Sequence, residues 1–159
     1  MRITIIAVGK LREDYLRHGC AEYLKRLRRY AAVTVLEVAE EQAPETLSPA
    51  EQTQLKTREA ERLWRAVPDA AYVIALDADG RAFTSTAFAA HLADLALTNA
   101  GDLAFLLGGS LGHAPGTLQR AHLTLSFGAF TYPHQLMRLI LLEQVYRAFK
   151  IMRGEPYHK

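Results

Sequence analysis

Three glycines lie within Gly108-Gly109-Ser110-Leu111-Gly112, a spacing that permits positive φ and lets backbone approach a ligand closely. No phosphate-binding lysine follows, and the spacing is not G-x-G-x-x-G, so a triphosphate or dinucleotide site is disfavoured. A cofactor held by backbone groups fits better; the plain alternative is a tight structural turn. A second segment, Ser126-Phe127-Gly128-Ala129-Phe130-Thr131-Tyr132, mixes small residues with aromatics. Such a loop can enclose an adenine-like ring by stacking and main-chain hydrogen bonds, or simply pack well. A third, Leu76-Asp77-Ala78-Asp79-Gly80, places a carboxylate where a strand should end, as a turn cap or a site group. The chain then finishes YRAFKIMRGEPYHK, with an aromatic, an imidazole and cations suited to something anionic and planar. A terminus of this kind otherwise frays.

Other chemistries lack their parts. Ser110 has no G-x-S-x-G context. The histidines His18, His91, His113, His122, His134 and His158 are scattered without metal-ligand spacing, so no metal is expected. His134 follows Pro133 at the start of a helix, where the dipole disfavours its charged form, and it either shapes the loop or joins the site. Cys20 is the single cysteine, which excludes an intramolecular disulfide. It shares a helical register with Leu16, Leu24 and Leu27 and reads as core.

The elements that must position these segments alternate strand and helix. Residues 3–8 are apolar and β-branched, a buried strand. An amphipathic helix is predicted over 14–30, a strand over 33–38 and a mobile polar loop over 40–47. Ser48, Pro49 and Glu51 supply N-cap, first-turn proline and capping box for a helix to about 65. A strand over 72–76 should close at the turn signal 77–80, followed by a helix capped by Ser85 and running to about 97. A strand over 102–107, a short helix over 115–121, a strand over 122–125 and a helix from Pro133 to about 150 complete the order. Strands separated by helices imply an α/β fold, a mainly parallel sheet with helices on both faces. In such sheets ligands sit beyond the carboxyl ends of the strands, where the three segments would lie.

With 159 residues and no linker or repeat, a single domain over 1–159 is expected. Net charge is only +2, but residues 10–29 carry Lys10, Arg12, Arg17, Lys25, Arg26, Arg28 and Arg29 against Glu13, Asp14 and Glu22. Arg138, Arg147, Lys150, Arg153 and Lys159 crowd the other end, so a localised phosphate-facing patch competes with solvated helix faces. No apolar run reaches membrane-spanning length and no signal peptide is evident, so a cytoplasmic location is expected.

Taken together, LLGGSLG, SFGAFTYPHQLMR and EQVYRAFKIMRGEPYHK resemble the small SPOUT-class methyltransferases that modify N3 of a pseudouridine in 23S ribosomal RNA. The likeness runs from the AVGK start to Lys159, and the stretch 133–159 is too long and idiosyncratic for coincidence. The resemblance implies a trefoil knot in the C-terminal part, although knots are nearly absent from proteins. It implies a pocket for S-adenosylmethionine lined by Leu76, Gly108, Phe127, Gly128, Ala129, Phe130, Thr131 and Tyr132. It further implies a homodimer packed through the last helix, and a substrate that is the assembled ribosome. His134, Arg138, Arg147, Tyr157 and His158 are then the candidates for assisting loss of the N3 proton and holding the base. In a dimer the tail would reach the partner's pocket, with Tyr157 bordering the base, His158 as base or RNA contact, and Arg147, Arg153 and Lys159 on phosphates. The rivals are a non-catalytic ribosome- or RNA-binding module of the same fold, and a different enzyme with a glycine-loop nucleotide site.

Overall fold

A computed structural model describes residues 1–98 and 102–159. Its elements are β1 (Arg2–Val8), α1 (Asp14–Leu27), β2 (Ala32–Val38), α2 (Pro49–Arg65), β3 (Tyr72–Ala82), α3 (Ser85–Leu97), β4 (Asp102–Leu107), α4 (Pro115–Arg120), β5 (Leu123–Ser126) and α5 (His134–Met152). The five strands form one sheet in the order β2-β1-β4-β3-β5, and every pairing is parallel. The expected α/β fold is therefore present.

Strand alternation divides the apolar side chains between the two faces. Ile3, Ile5, Ile74, Leu103 and Phe105 meet α1, α3 and α5 through Leu27, Phe88, Leu92, Leu141, Leu142 and Val145. Ile6, Val8, Val73, Ala75, Ala104 and Leu106 meet Leu63 of α2, with Leu118 of α4 packed alongside. Ile5, Ile74, Phe105 and Leu142 are fully buried. Each such burial contributes about 1.5–3 kcal/mol, so the central strands are held firmly and their carboxyl ends are fixed in space. Where α1 crosses α5, a Cβ at Gly19 would lie 3.0 Å from both Leu139 methyls, so a small residue sets the helix spacing.

Local chemistry explains most boundaries. Ser48 and Glu51 form the complete capping box at α2. Cys20 is buried in the core, as its register predicts. Helix α1 stops at Leu27 rather than at residue 30, because the amides of Tyr30 and Ala31 both turn back onto the Leu27 carbonyl. Thr84, not Ser85, caps α3, its hydroxyl accepting from the Ala87 amide at 3.1 Å. The 40–47 segment, expected to be mobile, is tied at Glu41, which pairs with Arg62 and Arg58 of α2.

The largest difference concerns β3. The turn signal at 77–80 does turn: the Asp77 carboxylate accepts from the Asp79 amide at 3.0 Å. Yet the strand resumes, and Leu125 of β5 faces both Leu76 and Arg81 across the irregularity. A Cβ on Gly80 would lie 2.8 Å from backbone atoms of Thr124 and Leu125, so only glycine lets the two strands approach this closely. Strand β5 correspondingly covers 123–126 instead of 122–125, and His122 precedes it. The His122 Nδ1 accepts from the Val73 amide, and the His122 amide donates to the Val73 carbonyl, both at 2.9 Å.

Candidate active site

A cavity of about 470 Å³ opens beyond the carboxyl ends of β4 and β5 and beside Leu76–Ala78, where β3 stops pairing with β4. Leu76, Asp77 and Ala78 come from β3, Leu107, Gly108, Gly109, Ser110 and Gly112 from the end of β4 and the glycine loop, and the segment after β5 supplies the facing wall. This is the place a parallel sheet offers a ligand. The volume lies within the range of about 300–1,000 Å³ usual for small-molecule sites.

Of the residues expected to hold a cofactor, Leu76, Gly108, Phe127, Gly128, Phe130, Thr131 and Tyr132 line the cavity, and Ala129 stands outside the lining. His134 also lines it, at the first turn of α5. Asp77, read from the sequence as a turn cap or a site group, joins the wall, as do His113 and Met137, which were not singled out as binders. His113 had a signal, since it directly follows the glycine loop.

The cradle is rigid for identifiable reasons. The glycine loop closes on itself, the Gly112 amide donating to the Gly109 carbonyl at 3.0 Å. Gly112 has φ +77°, and a Cβ on Gly108 would lie 2.9 Å from the Gly112 carbonyl carbon. Ser126 ties the remaining loops together: its hydroxyl donates to the Ala78 carbonyl at 2.8 Å and accepts from the Gly128 amide at 3.1 Å. Beneath the loop His113 is buried, its Nε2 bonded to the Leu106 carbonyl at 3.2 Å. Burial pushes its pKa down, so the ring is neutral there and Nε2 is the donor.

The remaining expected site residues separate. Arg138, one turn beyond His134, is buried and faces the ends of β1 and β2, donating to Glu37 Oε1 at 2.5 Å and to the Gly9 carbonyl at 2.9 Å. Arg147 stands on the far half of α5, about 20 Å along the helix from His134 at 1.5 Å per residue, and Tyr157 and His158 of the tail cluster against it. There Glu143 Oε1 accepts from Arg147 Nε at 3.0 Å and from the Tyr157 hydroxyl at 3.0 Å. The Arg147 guanidinium lies 4.7 Å from the Tyr157 ring centre, and Tyr157 stands edge-on to Tyr146 at 4.9 Å. Burial, the Tyr23 hydroxyl and Glu143 push the Tyr157 pKa up, so it remains a phenol at neutral pH and acts as a donor, not a base. His158 is exposed, with Nδ1 3.4 Å from Arg147 Nη1. Within one chain, then, a donor-sized cavity and a polar aromatic tail are distinct places. Among the described residues no group of His, Cys, Asp or Glu is placed to hold a metal ion, and no helix is long and apolar enough to cross a membrane.

Comparison with known proteins agrees with this geometry. Residues 1–158 match the family described as predicted SPOUT methyltransferase. Proteins named ribosomal RNA large subunit methyltransferase H from Carboxydothermus hydrogenoformans and Listeria monocytogenes are each 55% identical to this chain over 159 residues, all of both proteins. The protein of that name from Lacticaseibacillus casei is 52% identical over the same full length. The chain belongs to the SPOUT methyltransferase family.

Proposed function

We propose that this chain transfers the methyl group of S-adenosylmethionine to N3 of a pseudouridine in 23S ribosomal RNA, acting as a cytoplasmic homodimer on the assembled ribosome. The observation that carries the reading is the cavity past the ends of β4 and β5 and beside Leu76–Ala78 of β3, because residues of three separate segments wall it. Its fit to the cofactor is chemical. Leu76, Leu107, Leu125 and Met137 offer apolar surface, the glycine loop offers backbone polar groups, and Asp77 offers a carboxylate. Bound there, the cofactor supplies an electrophilic methyl on a sulfonium. The protein's part is to hold the acceptor nitrogen in line with that methyl and keep water out. An imide nitrogen is a poor nucleophile until its proton leaves, and His134 at the cavity wall is the group positioned to take it.

The tail completes the site from the second subunit. Leu136 and Ile140 remain half-buried and, among the described residues, belong to neither apolar cluster. They lie at four-residue spacing with Gln144 on the stripe of α5 beside Arg147. Pairing that stripe with its copy covers it and brings the Arg147–Tyr157–His158 group across the interface towards the partner's cavity. The trefoil knot of the family would form along the return of the chain from β4 through β5 to α5. Removing the residues after Gly154 is expected to abolish methylation of ribosomes while S-adenosylmethionine binds with nearly unchanged affinity in calorimetry. Unimpaired turnover by the truncated protein would refute the tail's role.

A further inference from the structure

Where the ends of β1 and β2 meet the first turn of α5, a carboxylate sits beside the histidine of the cavity wall. Glu40, just past β2, places Oε1 3.5 Å from His134 Nε2. That nitrogen is buried and has no hydrogen-bond partner among the described residues. Glu40 is itself confined: its Oε2 lies 3.5 Å from Arg12 Nη2, and a Cβ on Gly9 would stand 3.0 Å from the same oxygen. Arg12 is anchored in turn to α5, its amide donating to Gln135 Oε1 at 2.9 Å. Glu37 is taken up by Arg138 one turn along α5, which leaves Glu40 as the carboxylate facing the ring. Glu40 also lines a second cleft of about 360 Å³ that shares Ser110 with the cofactor cavity, so the pair stands where the two spaces join. A separation of 3.5 Å is slightly long for a hydrogen bond, and catalytic contacts of this kind shorten when substrate binds.

We propose that Glu40 is a positioning residue, holding His134 with its proton on Nε2 and leaving Nδ1 as the acceptor for the substrate's imide proton. The inference rests on the methyl-transfer reading above. As the N3–H proton passes to Nδ1, the nitrogen's electron pair forms the N–CH₃ bond. The C–S bond breaks with its pair remaining on sulfur, giving a neutral thioether. The imidazolium left behind faces the Glu40 carboxylate, which stabilises it, and Arg12 helps to orient that carboxylate.

The test uses the full-length protein carrying ¹⁵N-labelled histidine, with His134 assigned by its own substitution. The ring nitrogens of His134 in the wild type are expected to report the Nε2–H tautomer, and Glu40→Gln to shift them towards a mixture. In ribosome methylation Glu40→Gln should lower kcat about 10–100-fold, part of the 10²–10⁴-fold that general-base function supplies. Cofactor affinity should stay within about twofold, and Glu40→Asp should recover part of the rate. A wild-type ring protonated on Nδ1, or wild-type kcat in Glu40→Gln, overturns the proposal. Absence of methyl transfer by the wild type would instead sink the functional reading, while the tautomer still decides the role of Glu40.

Discussion

Gly108→Ala asks whether the glycine loop is a close-fitting cradle. The added methyl would lie 2.9 Å from the Gly112 carbonyl carbon and 3.1 Å from the His113 amide nitrogen. Both neighbours are backbone, so no side chain can swing away; the loop must open by several tenths of an ångström. Overpacking of this kind costs about 1–3 kcal/mol. If the strain falls mainly on the ligand-competent loop, affinity for S-adenosylmethionine drops about 5–150-fold, at 1.4 kcal/mol per tenfold. If it falls on the whole fold, the same energy lowers Tm by about 2–12 °C in a chain of this size. Two companions separate steric from conformational cost. Gly112 has φ +77° with nothing near its added Cβ, so Gly112→Ala carries backbone strain alone, about 1–2 kcal/mol. Gly116 in α4 has open space and no such φ, so Gly116→Ala should bind cofactor like the wild type. Calorimetric titration with S-adenosylmethionine, paired with thermal unfolding, gives both readouts. Wild-type affinity together with wild-type Tm in Gly108→Ala would refute the cradle.

The further predictions concern RNA contact and acid stability. Arg26 is committed to Glu22 and lies over the Tyr23 and Tyr146 rings, whereas Arg28 and Arg29 are exposed and form no ion pair among the described residues. Arg28→Ala with Arg29→Ala should therefore weaken ribosome binding at low salt and reduce its salt slope by about 1–2, measured by filtration at several salt concentrations. An unchanged slope would assign both arginines to solvation. His113 has its pKa lowered by burial, so between its folded and ordinary values the unfolded chain binds more protons and stability rises with pH. Its contribution is complete above the ordinary imidazole range and is lost as pH falls through the depressed folded value. Denaturant melts from pH 8 to pH 5 should show this decline, and a His113 variant that retains its fold should show less of it.

Much of the fold was legible because local and long-range signals agreed. The apolar β-branched run over 3–8 became β1 and the apolar run over 102–107 became β4, Ser48 and Glu51 capped α2 as written, and the glycine loop lies where a parallel sheet binds ligands. Strand β3 was not legible past Leu76. Asp77 makes the turn its sequence suggests, but Arg81 and Ala82 return to pair with β5, and no local pattern announces a partner more than forty residues away. The division of the site was readable in principle. His134 and Arg147 are thirteen positions apart on one helix, a separation of about 20 Å that a single cavity of this size does not span. The surroundings of Arg138 were not legible for a different reason: its neighbours in space, Glu37 and the Gly9 carbonyl, come from the opposite end of the chain.

Transfer of tritium from methyl-labelled S-adenosylmethionine to intact ribosomes, followed by digestion and identification of the labelled nucleoside, tests the central claim most directly. The account predicts label in a single N3-methylated pseudouridine of the large-subunit RNA, with little on free RNA. Label in protein, in another nucleoside or nowhere, with a cofactor-bound wild type, would contradict it.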